Sequence, residues 1–325
     1  MTRSAERHAT ADRPWLELAV VADHEAVEAV SEILSRFAGG GVAIEPGYEL
    51  VREGLEARID PHRPAVVRAY LPDTGDEAAR AIDAVREALG HLQAFDLRPI
   101  GQLEVRTLRE ADWATAWKRH FPVLRVGTRL VIRPSWRRYR PREGDVVLAL
   151  DPGAAFGTGL HPTTRLCLEA VERWADDGRL AGARVLDVGC GSGILGLAAV
   201  RLGATSVLGI DTDPLAIEAS QANARRNRVL RRVAARLGPL PTAAPAFDLV
   251  LANLIASLLV ELAPALAAEL RPGCGPSDPG GRLVAGGIFV DREEDVRRAF
   301  AAAGLRVVDC WREGEWVAIE AERVD

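Results

Sequence analysis

Residues 185–195 read Val-Leu-Asp-Val-Gly-Cys-Gly-Ser-Gly-Ile-Leu. An apolar run that ends in an acidic residue passes through three alternating glycines and opens into an apolar helical pattern. This order predicts the first strand, the tight turn and the first helix of a doubly wound α/β domain. Because glycine lacks a Cβ atom, such a turn can adopt positive φ and let a ligand lie against its backbone amides.

The spacing of the glycines separates two classes of cofactor. Gly189, Gly191 and Gly193 form G-x-G-x-G, whereas a dinucleotide fingerprint is G-x-G-x-x-G, and Ile194 stands where its third glycine would be. Asp187 would lie beside the ligand, where a carboxylate repels a pyrophosphate and attracts an ammonium group. S-adenosylmethionine carries an ammonium group and no phosphate, so the pattern favours this cofactor over NAD.

A second strand is predicted over residues 206–211 and ends in Asp211. The offset from the glycine turn, about 20 residues, is the one expected for a carboxylate that binds a ribose. The alternative role for Asp211 is a helix N-cap, because Pro214 follows at a favourable first-turn position. Both roles are compatible if Thr212 or Asp213 provides the cap.

Composition limits the class of protein. The chain has 325 residues, long for one domain and comfortable for two, and 48% of its residues are hydrophobic. A net charge of −5 argues against a general nucleic-acid binder, so no direct nucleic-acid binding is expected, and it is compatible with a basic protein partner. Nearly all basic residues are arginine, which we interpret as compositional bias.

Cysteine usage and hydropathy predict no metal site and no membrane. The four cysteines include no C-x-x-C pair, so neither a zinc site nor a disulfide framework is expected. Residues 1–13 are polar, lack the apolar core of a signal peptide and are expected to be disordered. No run approaches the ~18 apolar residues of a membrane span. We therefore expect a soluble cytoplasmic protein.

The first hundred residues predict a βαββαβ order, which is typical of a ferredoxin-like sandwich. Its helices are expected to begin near Asp23 and Asp76 and to end at the glycines 39–41 and at Gly90. The predicted strands are 15–21, 42–44, 65–71 and 103–108. Because this part has no His/Cys cluster and no glycine loop, we interpret it as a binding module.

Residues 112–121 are predicted to connect the two halves. Trp113, Trp117 and Phe121 are spaced four apart, which indicates one face of a helix, interpreted as a packing stripe. Two short strands, 130–133 and 146–150, follow the connection, with an arginine-rich loop between them.

Residues 151–164 form a loop that leads into a helix and is suited to closing over a ligand at the glycine turn. A threonine is expected to cap this helix, with Thr163 in that role and Thr164 facing the cofactor. His161 is a conceivable general base, but its place beside Pro162 in a tight turn does not require that role.

The remaining elements predict the sheet of a class I methyltransferase. A strand over residues 247–253 ends in Asn253, at the same carboxyl edge as Asp187 and Asp211, where open α/β sheets bind ligands. Residues 254–256 contain no proline or aromatic residue, which disfavours a nucleobase as methyl acceptor. Further elements are a helix over 214–227, strands over 233–236 and 282–287, a helix over 291–303, and strands over 305–311 and 316–321. The last connection is too short for a parallel crossover, so those two strands should pair antiparallel.

Taken together, these motifs resemble the methyltransferase family that modifies the eleventh protein of the large ribosomal subunit. The resemblance is carried by DPGAAFGTGLHPTT at 151–164, by VLDVGCGSG at 185–193, by residues 209–227 and by Ala-Asn-Leu at 252–254. It implies S-adenosylmethionine-dependent trimethylation of lysine side chains and of the N-terminal amine of that ribosomal protein. It also implies cofactor contacts at four residues, Thr164, Gly189, Asp211 and Asn253.

The expected organisation is a disordered segment 1–13, a ferredoxin-like substrate-recognition domain 14–108, a linker 109–140 and a methyltransferase domain 141–325 with a Rossmann-like seven-stranded sheet. The predicted cofactor-binding residues are Asp187, Gly189, Gly191, Asp211, Thr164 and Asn253. The chain departs from the family pattern at Leu160, at Gly286 and in the loop 274–279, and none of these departures removes a predicted cofactor contact.

The chemistry requires alignment more than side-chain catalysis. The acceptor amine must be neutral, which at pH 7 costs about 4–5 kcal/mol for a lysine of pKa ~10.4 and about 1 kcal/mol for an α-amine. We expect Asn253 to orient that amine and assign no general base. The alternatives are a related protein-lysine methyltransferase with another substrate, a nicotinamide-dependent oxidoreductase, and an inert module that binds the ribosomal protein.

Overall fold

The computed structural model describes residues 15–23, 26–37, 42–45, 47–51, 56–60, 63–94, 100–108, 121–151, 159–243, 246–273 and 280–324. The chain divides into two compact units, Met1–Pro122 and Val123–Asp325. Each unit has its own hydrophobic core. The predicted packing stripe at Trp113 and Trp117 lies outside the described residues.

The first unit has a four-stranded sheet in the order β2-β5-β1-β6, and each pair of neighbours whose register is defined runs antiparallel. Its strands and helices are β1 Trp15–Ala22, α1 Val27–Phe37, β2 Val42–Glu45, β5 Ala65–Pro72, α2 Asp76–Ala94 and β6 Glu104–Leu108. This is the strand order of a ferredoxin-like sheet, so the predicted βαββαβ fold is confirmed. The predicted end of the second helix at Gly90 is wrong, because α2 continues through that glycine to Ala94.

A β-hairpin that the sequence interpretation missed is inserted between β2 and β5. It consists of β3, Tyr48–Val51, and β4, Glu56–Ile59, which pair antiparallel. Four residues per strand are too few for a period-two pattern to stand out from a loop, because such a strand offers only two residues to each face.

The core of the first unit forms where α1 and α2 cover one face of the sheet. The apolar residues Val27, Val30 and Leu34 of α1 are buried against strand residues that include Leu18 and Val67. The spacing of three and four residues places these side chains on one face of α1, as an amphipathic helix requires.

The second unit begins with a small sheet. Strand β7, Leu124–Val126, pairs antiparallel with β8, Leu130–Pro134, and β8 pairs parallel with β9, Val146–Leu150. Residues 123–140, expected as part of the linker, thus lie within the second compact unit. The apolar runs of β7 and β8 account for this difference, since Leu124, Leu130 and other residues of these strands are buried.

The main sheet has seven strands in the order β12-β11-β10-β13-β14-β16-β15. Its strands are β10 Arg184–Val188, β11 Ser206–Asp211, β12 Val233–Leu237, β13 Leu249–Asn253, β14 Arg282–Phe289, β15 Leu305–Glu313 and β16 Trp316–Arg323. The first five in chain order are parallel, and β16 runs antiparallel to both β14 and β15. The predicted parallel sheet with a terminal antiparallel hairpin is confirmed.

Helices cover this sheet. They are α3 Pro162–Asp176, α4 Ile194–Leu202, α5 Pro214–Arg226, α6 Ala256–Glu269 and α7 Glu293–Ala302, the last preceded by a 3-10 turn, Val290–Arg292. Helices α3 and α4 pack together, as do α6 and α7. None of the helices in the described ranges has the length and apolar character needed to cross a bilayer.

Leu18 and Val21 provide a matched test of the first core, because both lie on β1 and differ in exposure, 0% against 42%. Leu18→Ala removes buried methyl groups and leaves a cavity, so we expect a loss of about 2–5 kcal/mol. Val21→Ala should change stability by less than about 0.5 kcal/mol. Urea unfolding of the full chain, followed by hydrogen exchange in β1 and β5, measures both; equal losses would contradict this core.

Candidate functional site

The predicted site residues meet at the carboxyl edge of the main sheet. Asp187 on β10 lies in register with Gly209 on β11, two residues before Asp211, and Asn253 at the end of β13 is in register with Gly286 on β14. Since neighbouring parallel strands end at the same edge, their terminal side chains converge there.

The glycine turn has a backbone that only glycine adopts readily. Gly189, Gly191 and Gly193 have φ values of 68°, 52° and 79°. A Cβ atom at Gly189 would lie 2.5 Å from Leu254 Cδ2, and one at Gly193 would lie 2.6 Å from Ser220 Oγ. The turn therefore needs glycine for its conformation and for its packing. Gly189 itself is exposed, so a ligand can reach its backbone.

Asp211 ties the glycine turn to the next strand. One carboxylate oxygen accepts a hydrogen bond from the Gly191 amide at 2.9 Å, and the other accepts one from the Asp213 amide at 3.0 Å. Asp213 caps α5 by accepting from the Leu215 amide at 2.8 Å, with Pro214 in the first turn. The capping role thus falls to Asp213, one of the two predicted residues, and Asp211 retains lone pairs for ribose hydroxyls.

Asp187 has a different environment from the one expected. Its side chain is 1% exposed and accepts a hydrogen bond from the Gly196 amide of α4 at 2.9 Å. Burial raises the pKa of this carboxyl to about 7. The Gly196 hydrogen bond favours the charged form and opposes this rise, and the negative charge of Asp211 raises the pKa by a smaller amount. The structure gives Asp187 a contact that orients α4, and its direct contact with a ligand stays a prediction.

Thr164 and Asn253 are brought together from distant parts of the sequence. The Asn253 Nδ2 donates to Thr164 Oγ1 at 3.3 Å. Thr164 is 1% exposed, whereas Asn253 is half-buried. The contact fixes the rotation of the Asn253 amide, which leaves its Oδ1 as an acceptor at the edge of the sheet.

His161, not a threonine, caps α3, so the expectation that Thr163 caps this helix is wrong. The Thr163 amide donates to His161 Nδ1 at 3.4 Å, and Thr163 Oγ1 lies 2.8 Å from the same nitrogen. The sequence signal failed because Ser, Thr, Asp and Asn are the usual caps, and His161 takes the position through its ring nitrogen.

The His161 ring is held in a poorly solvated, aromatic corner. It packs edge-to-face on Trp316 with 4.8 Å between ring centroids, and Trp316 packs on Phe289 in the same manner at 5.2 Å. Burial, followed by the nearby Arg165 charge, lowers the pKa of His161 to about 4. At neutral pH the imidazole is therefore uncharged and a weak base, which gives no support to a general-base role.

An ion pair joins the start of α3 to the terminal hairpin. The Arg165 guanidinium donates to both carboxylate oxygens of Glu313, with Nε at 3.1 Å from Oε2, and also to the Leu160 carbonyl. Arg165 is 6% exposed. Glu313 lies just before the two-residue turn of the β15–β16 hairpin. The ion pair therefore fixes the start of α3, where Leu160, His161 and Thr164 lie, against this hairpin.

Asn223 connects the glycine turn to β9, and sequence reasoning missed it. Its Nδ2 donates to the carbonyls of Ser192 and Asp151, each at 3.0 Å, and its Oδ1 accepts from the Asp151 amide at 2.9 Å. Asn227, one helical turn later, holds both backbone groups of Ala149 in the same manner. Two asparagines four residues apart on one helix were the available signal.

Cysteines and metal ligands add no further chemistry among the described residues. Cys167, Cys190 and Cys310 are free thiols, and burial raises the pKa of Cys190, so it is a packed residue and not an activated nucleophile. No cluster of His, Cys, Asp and Glu in the described ranges could hold a metal ion. Cys274 and the long loop 274–279 lie outside those ranges.

The two departures from the family pattern that the structure describes are both packed. Leu160 is 5% exposed. A Cβ atom at Gly286 would lie 2.5 Å from Cys167 Sγ and 3.2 Å from Asn253 Oδ1. A larger residue at Gly286 would therefore require Cys167 to shift, and it would crowd the amide oxygen at the edge of the sheet.

The strand order with a reversed last strand, the glycine turn after β10 and the acidic residue that ends β11 define a class I methyltransferase, whose methyl donor is S-adenosylmethionine. The chain belongs to the ribosomal protein L11 methyltransferase (PrmA) family, whose model matches residues 14–324.

Individual relatives agree with this assignment. A ribosomal protein L11 methyltransferase of Chloroflexus aurantiacus is 46% identical over 336 residues, which cover 95% of this chain and 98% of the relative. One of Geobacter metallireducens is 40% identical over 307 residues, covering 94% and 97%. The crystal structure of a ribosomal protein L11 methylase from Lactobacillus delbrueckii subsp. bulgaricus has a TM-score of 0.56 and 32% identity, covering 62% of this chain and 99% of that chain.

Glu313→Gln should weaken cofactor binding, because it leaves the buried Arg165 guanidinium without its counter-charge and loosens the start of α3. Since Glu313 is partly exposed, we expect a loss of about 1 kcal/mol, roughly fivefold in the Kd of S-adenosylmethionine. Glu315→Gln, an exposed change in the same hairpin turn, is the control and should leave the Kd unchanged. Calorimetric titration measures both; equal Kd values for all three proteins would contradict the tether.

His161 should make the free energy of unfolding dependent on pH. Its folded-state pKa of about 4 lies below the usual 6.5, so the unfolded chain binds the proton more readily. The stabilising contribution is complete above pH 6.5 and is lost as the pH falls towards 4. His161→Gln should therefore lose less stability between pH 7 and pH 5 than the parent chain. Urea titrations at both pH values measure this difference, and identical losses would be the contrary result.

Proposed function

We propose that this protein transfers methyl groups from S-adenosylmethionine to lysine side chains and to the N-terminal amine of ribosomal protein L11. The observation that carries the proposal is the Asn253–Thr164 pair, 3.3 Å apart, at the carboxyl edge beside the glycine turn. It supports an acceptor site that presents an amide oxygen, within a chain whose family is described as ribosomal protein L11 methyltransferase.

The chain offers a cradle suited to the cofactor. The Gly189 backbone is exposed and the Gly191 amide is held by Asp211, whose carboxylate suits ribose hydroxyls. Thr164 and Asn253 would close the cradle on the methyl side. When bound, S-adenosylmethionine supplies an electrophilic methyl group on a sulfonium centre.

The residues around Asn253 suit a neutral amine. Asn253 Oδ1 can accept a hydrogen bond from an acceptor N–H and so direct the nitrogen lone pair towards the methyl group. The His161 imidazole, at the start of the helix that carries Thr164, is partly buried and uncharged at neutral pH, so it offers no negative charge to stabilise an ammonium ion. Alignment and desolvation supply the catalysis, and no described side chain is needed as a base.

The surface beside Asn253 favours an aliphatic acceptor over a nucleobase. Ile255, the N-cap of α6, is 63% exposed, and Leu258 in the first turn of α6 is 40% exposed. Neither can stack on a base as an aromatic ring would, but both can contact the methylene groups of a lysine side chain. This is the physical argument for a protein substrate.

The two units would divide the work. The first, with its ferredoxin-like sheet, would dock the ribosomal protein, as proposed for residues 14–108, and the second would carry the chemistry. A ribosomal substrate suggests that the enzyme acts in the cytoplasm. The remaining alternative is a related protein-lysine methyltransferase with another protein substrate.

The direct experiment is incubation with labelled S-adenosylmethionine and purified, unmodified ribosomal protein L11. Label on lysines and on the N-terminal amine, located by mass spectrometry, is the expected result. Label on another protein of the cell extract, with none on L11, would overturn the substrate assignment and leave the methyltransferase class intact.

Two variants separate orientation from cofactor binding. Asn253→Ala should lower kcat by about tenfold or more, since one positioning contact is worth more than 1 kcal/mol in alignment, and it should change the cofactor Kd less. Asp211→Asn should mainly raise the cofactor Kd, because a charged acceptor for the ribose is lost. Steady-state kinetics and calorimetric titration measure both effects. Full turnover and full cofactor affinity in Asn253→Ala would show that Asn253 has no orienting role.

A further inference from the structure

The loop between β8 and β9 carries a charge opposite to that of the whole chain. Residues 133–142, which are the end of β8 and most of the loop, contain five arginines and no acidic residue; Glu143 and Asp145 complete the loop, and the whole chain has a net charge of −5. The arginines are Arg133, Arg137, Arg138, Arg140 and Arg142. Compositional bias spreads arginine along a sequence, and it does not account for half of one ten-residue segment.

The loop and the end of β8 line an open groove of about 640 Å³. Its lining consists of Arg133, Ser135, Trp136, Arg137, Arg138 and Tyr139. Trp136 and Tyr139 are half-buried, and Arg137 and Arg138 are exposed. The groove therefore combines two aromatic rings with several guanidinium groups.

The groove is held in shape by its own hydrogen bonds. Arg133 Nη1 donates to the carbonyls of Pro134, Ser135 and Arg137, at 3.3, 3.4 and 2.8 Å. At the other end, the Tyr139 hydroxyl donates to Asp145 at 2.5 Å. A loop fixed at both ends loses little conformational entropy when it binds a ligand.

Two of the arginines have no counter-charge within the part of the chain that the structure describes. Neither Arg138 nor Arg140 forms an ion pair or a hydrogen bond there, although both are exposed beside other arginines. Like charges held close together repel one another, and a bound anion relieves that repulsion. The groove is thus prepared for a partner that brings negative charge.

We propose that this groove, the arginine groove of residues 133–142, binds single-stranded RNA. Arginine pairs with phosphate oxygens through its planar fork, and bases stack on aromatic rings and on guanidinium planes. An acidic peptide would use the guanidinium groups but not the rings of Trp136 and Tyr139 that line the same groove. The mixture of rings and guanidinium groups therefore favours RNA.

Hydrogen bonds connect the groove to the glycine turn through Asp151 and Asn223. The Ser135 amide donates to the Leu150 carbonyl at 2.8 Å, and Ser135 Oγ donates to Asp151 at 3.2 Å. Asp151 begins the segment that leads to His161, and Asn223 links it to the glycine turn. When a ribosomal protein substrate arrives bound to RNA, the arginine groove could hold a single-stranded part of that RNA. The binding itself does not depend on the proposed substrate.

The net acidity of the chain agrees with a local site of this kind. Coating of duplex nucleic acid requires an extended basic surface, which a charge of −5 opposes. A single strand held in one groove requires a few arginines and rings. The expectation of no nucleic-acid binding rests on the average charge, which this loop does not share.

The test is fluorescence anisotropy of fluorescein-labelled oligouridylate with the full-length chain over a series of salt concentrations. Arg138→Ala with Arg140→Ala should weaken binding roughly tenfold and reduce the salt slope by about 1.4, since each lost phosphate contact contributes about 0.7 for single strands. Trp136→Leu should weaken binding by roughly tenfold with the slope unchanged, because stacking is lost.

The matched control is Arg201→Ala with Arg231→Ala, which removes two exposed arginines at the opposite, amino edge of the main sheet. It should bind oligouridylate as the parent chain does. Poly-glutamate as competitor separates RNA from a general anion site: if it displaces oligouridylate at equal charge concentration, the proposal fails. It also fails if the parent chain does not bind, or if the control and the groove variant weaken binding equally. Methylation of free L11 by the groove variant reports separately on the proposed function.

Discussion

The hydrogen bond from the Gly191 amide to the Asp211 carboxylate holds together the turn on which the catalytic unit depends. It fixes the end of β11 against the turn after β10, and Asp213 then starts α5 beside it. A Cβ atom at Gly189 would clash with Leu254, so the turn packs closely against the residue that follows Asn253. The proposed cofactor and acceptor sites therefore depend on the same turn.

Contacts from the terminal hairpin hold the start of α3, which carries the predicted cofactor-binding residue Thr164. Glu313 holds Arg165 and Trp316 packs on His161, so the terminal hairpin positions residues that precede it by about 150 positions in sequence. Burial keeps His161 uncharged. An environment without strong bases suits a reaction in which the amine must be neutral and aligned, and in which the leaving group needs no proton.

Local patterns predicted much of this molecule. The alternation of apolar strands and capped helices predicted a ferredoxin-like fold and a parallel sheet with a terminal antiparallel hairpin, because hydrophobic periodicity and short connections restrict the topology. The same reasoning missed the hairpin β3–β4, whose strands are too short to show a period, and it assigned the α3 cap to Thr163. Asn223 was missed because its partners, Ser192 and Asp151, are far from it in sequence.

The amino-acid sequence by itself determined the class of the catalytic unit. The signals were the glycine spacing, the acidic residues that end strands, and a connection too short for a crossover. Each of these has a physical cause that acts within a few residues. Only the tertiary structure decided the environment of each side chain. It buried Asp187 under α4, brought Asn253 to Thr164, and shaped the arginine groove of residues 133–142. Burial and charge depend on which distant segments pack together, and a single sequence does not state those contacts.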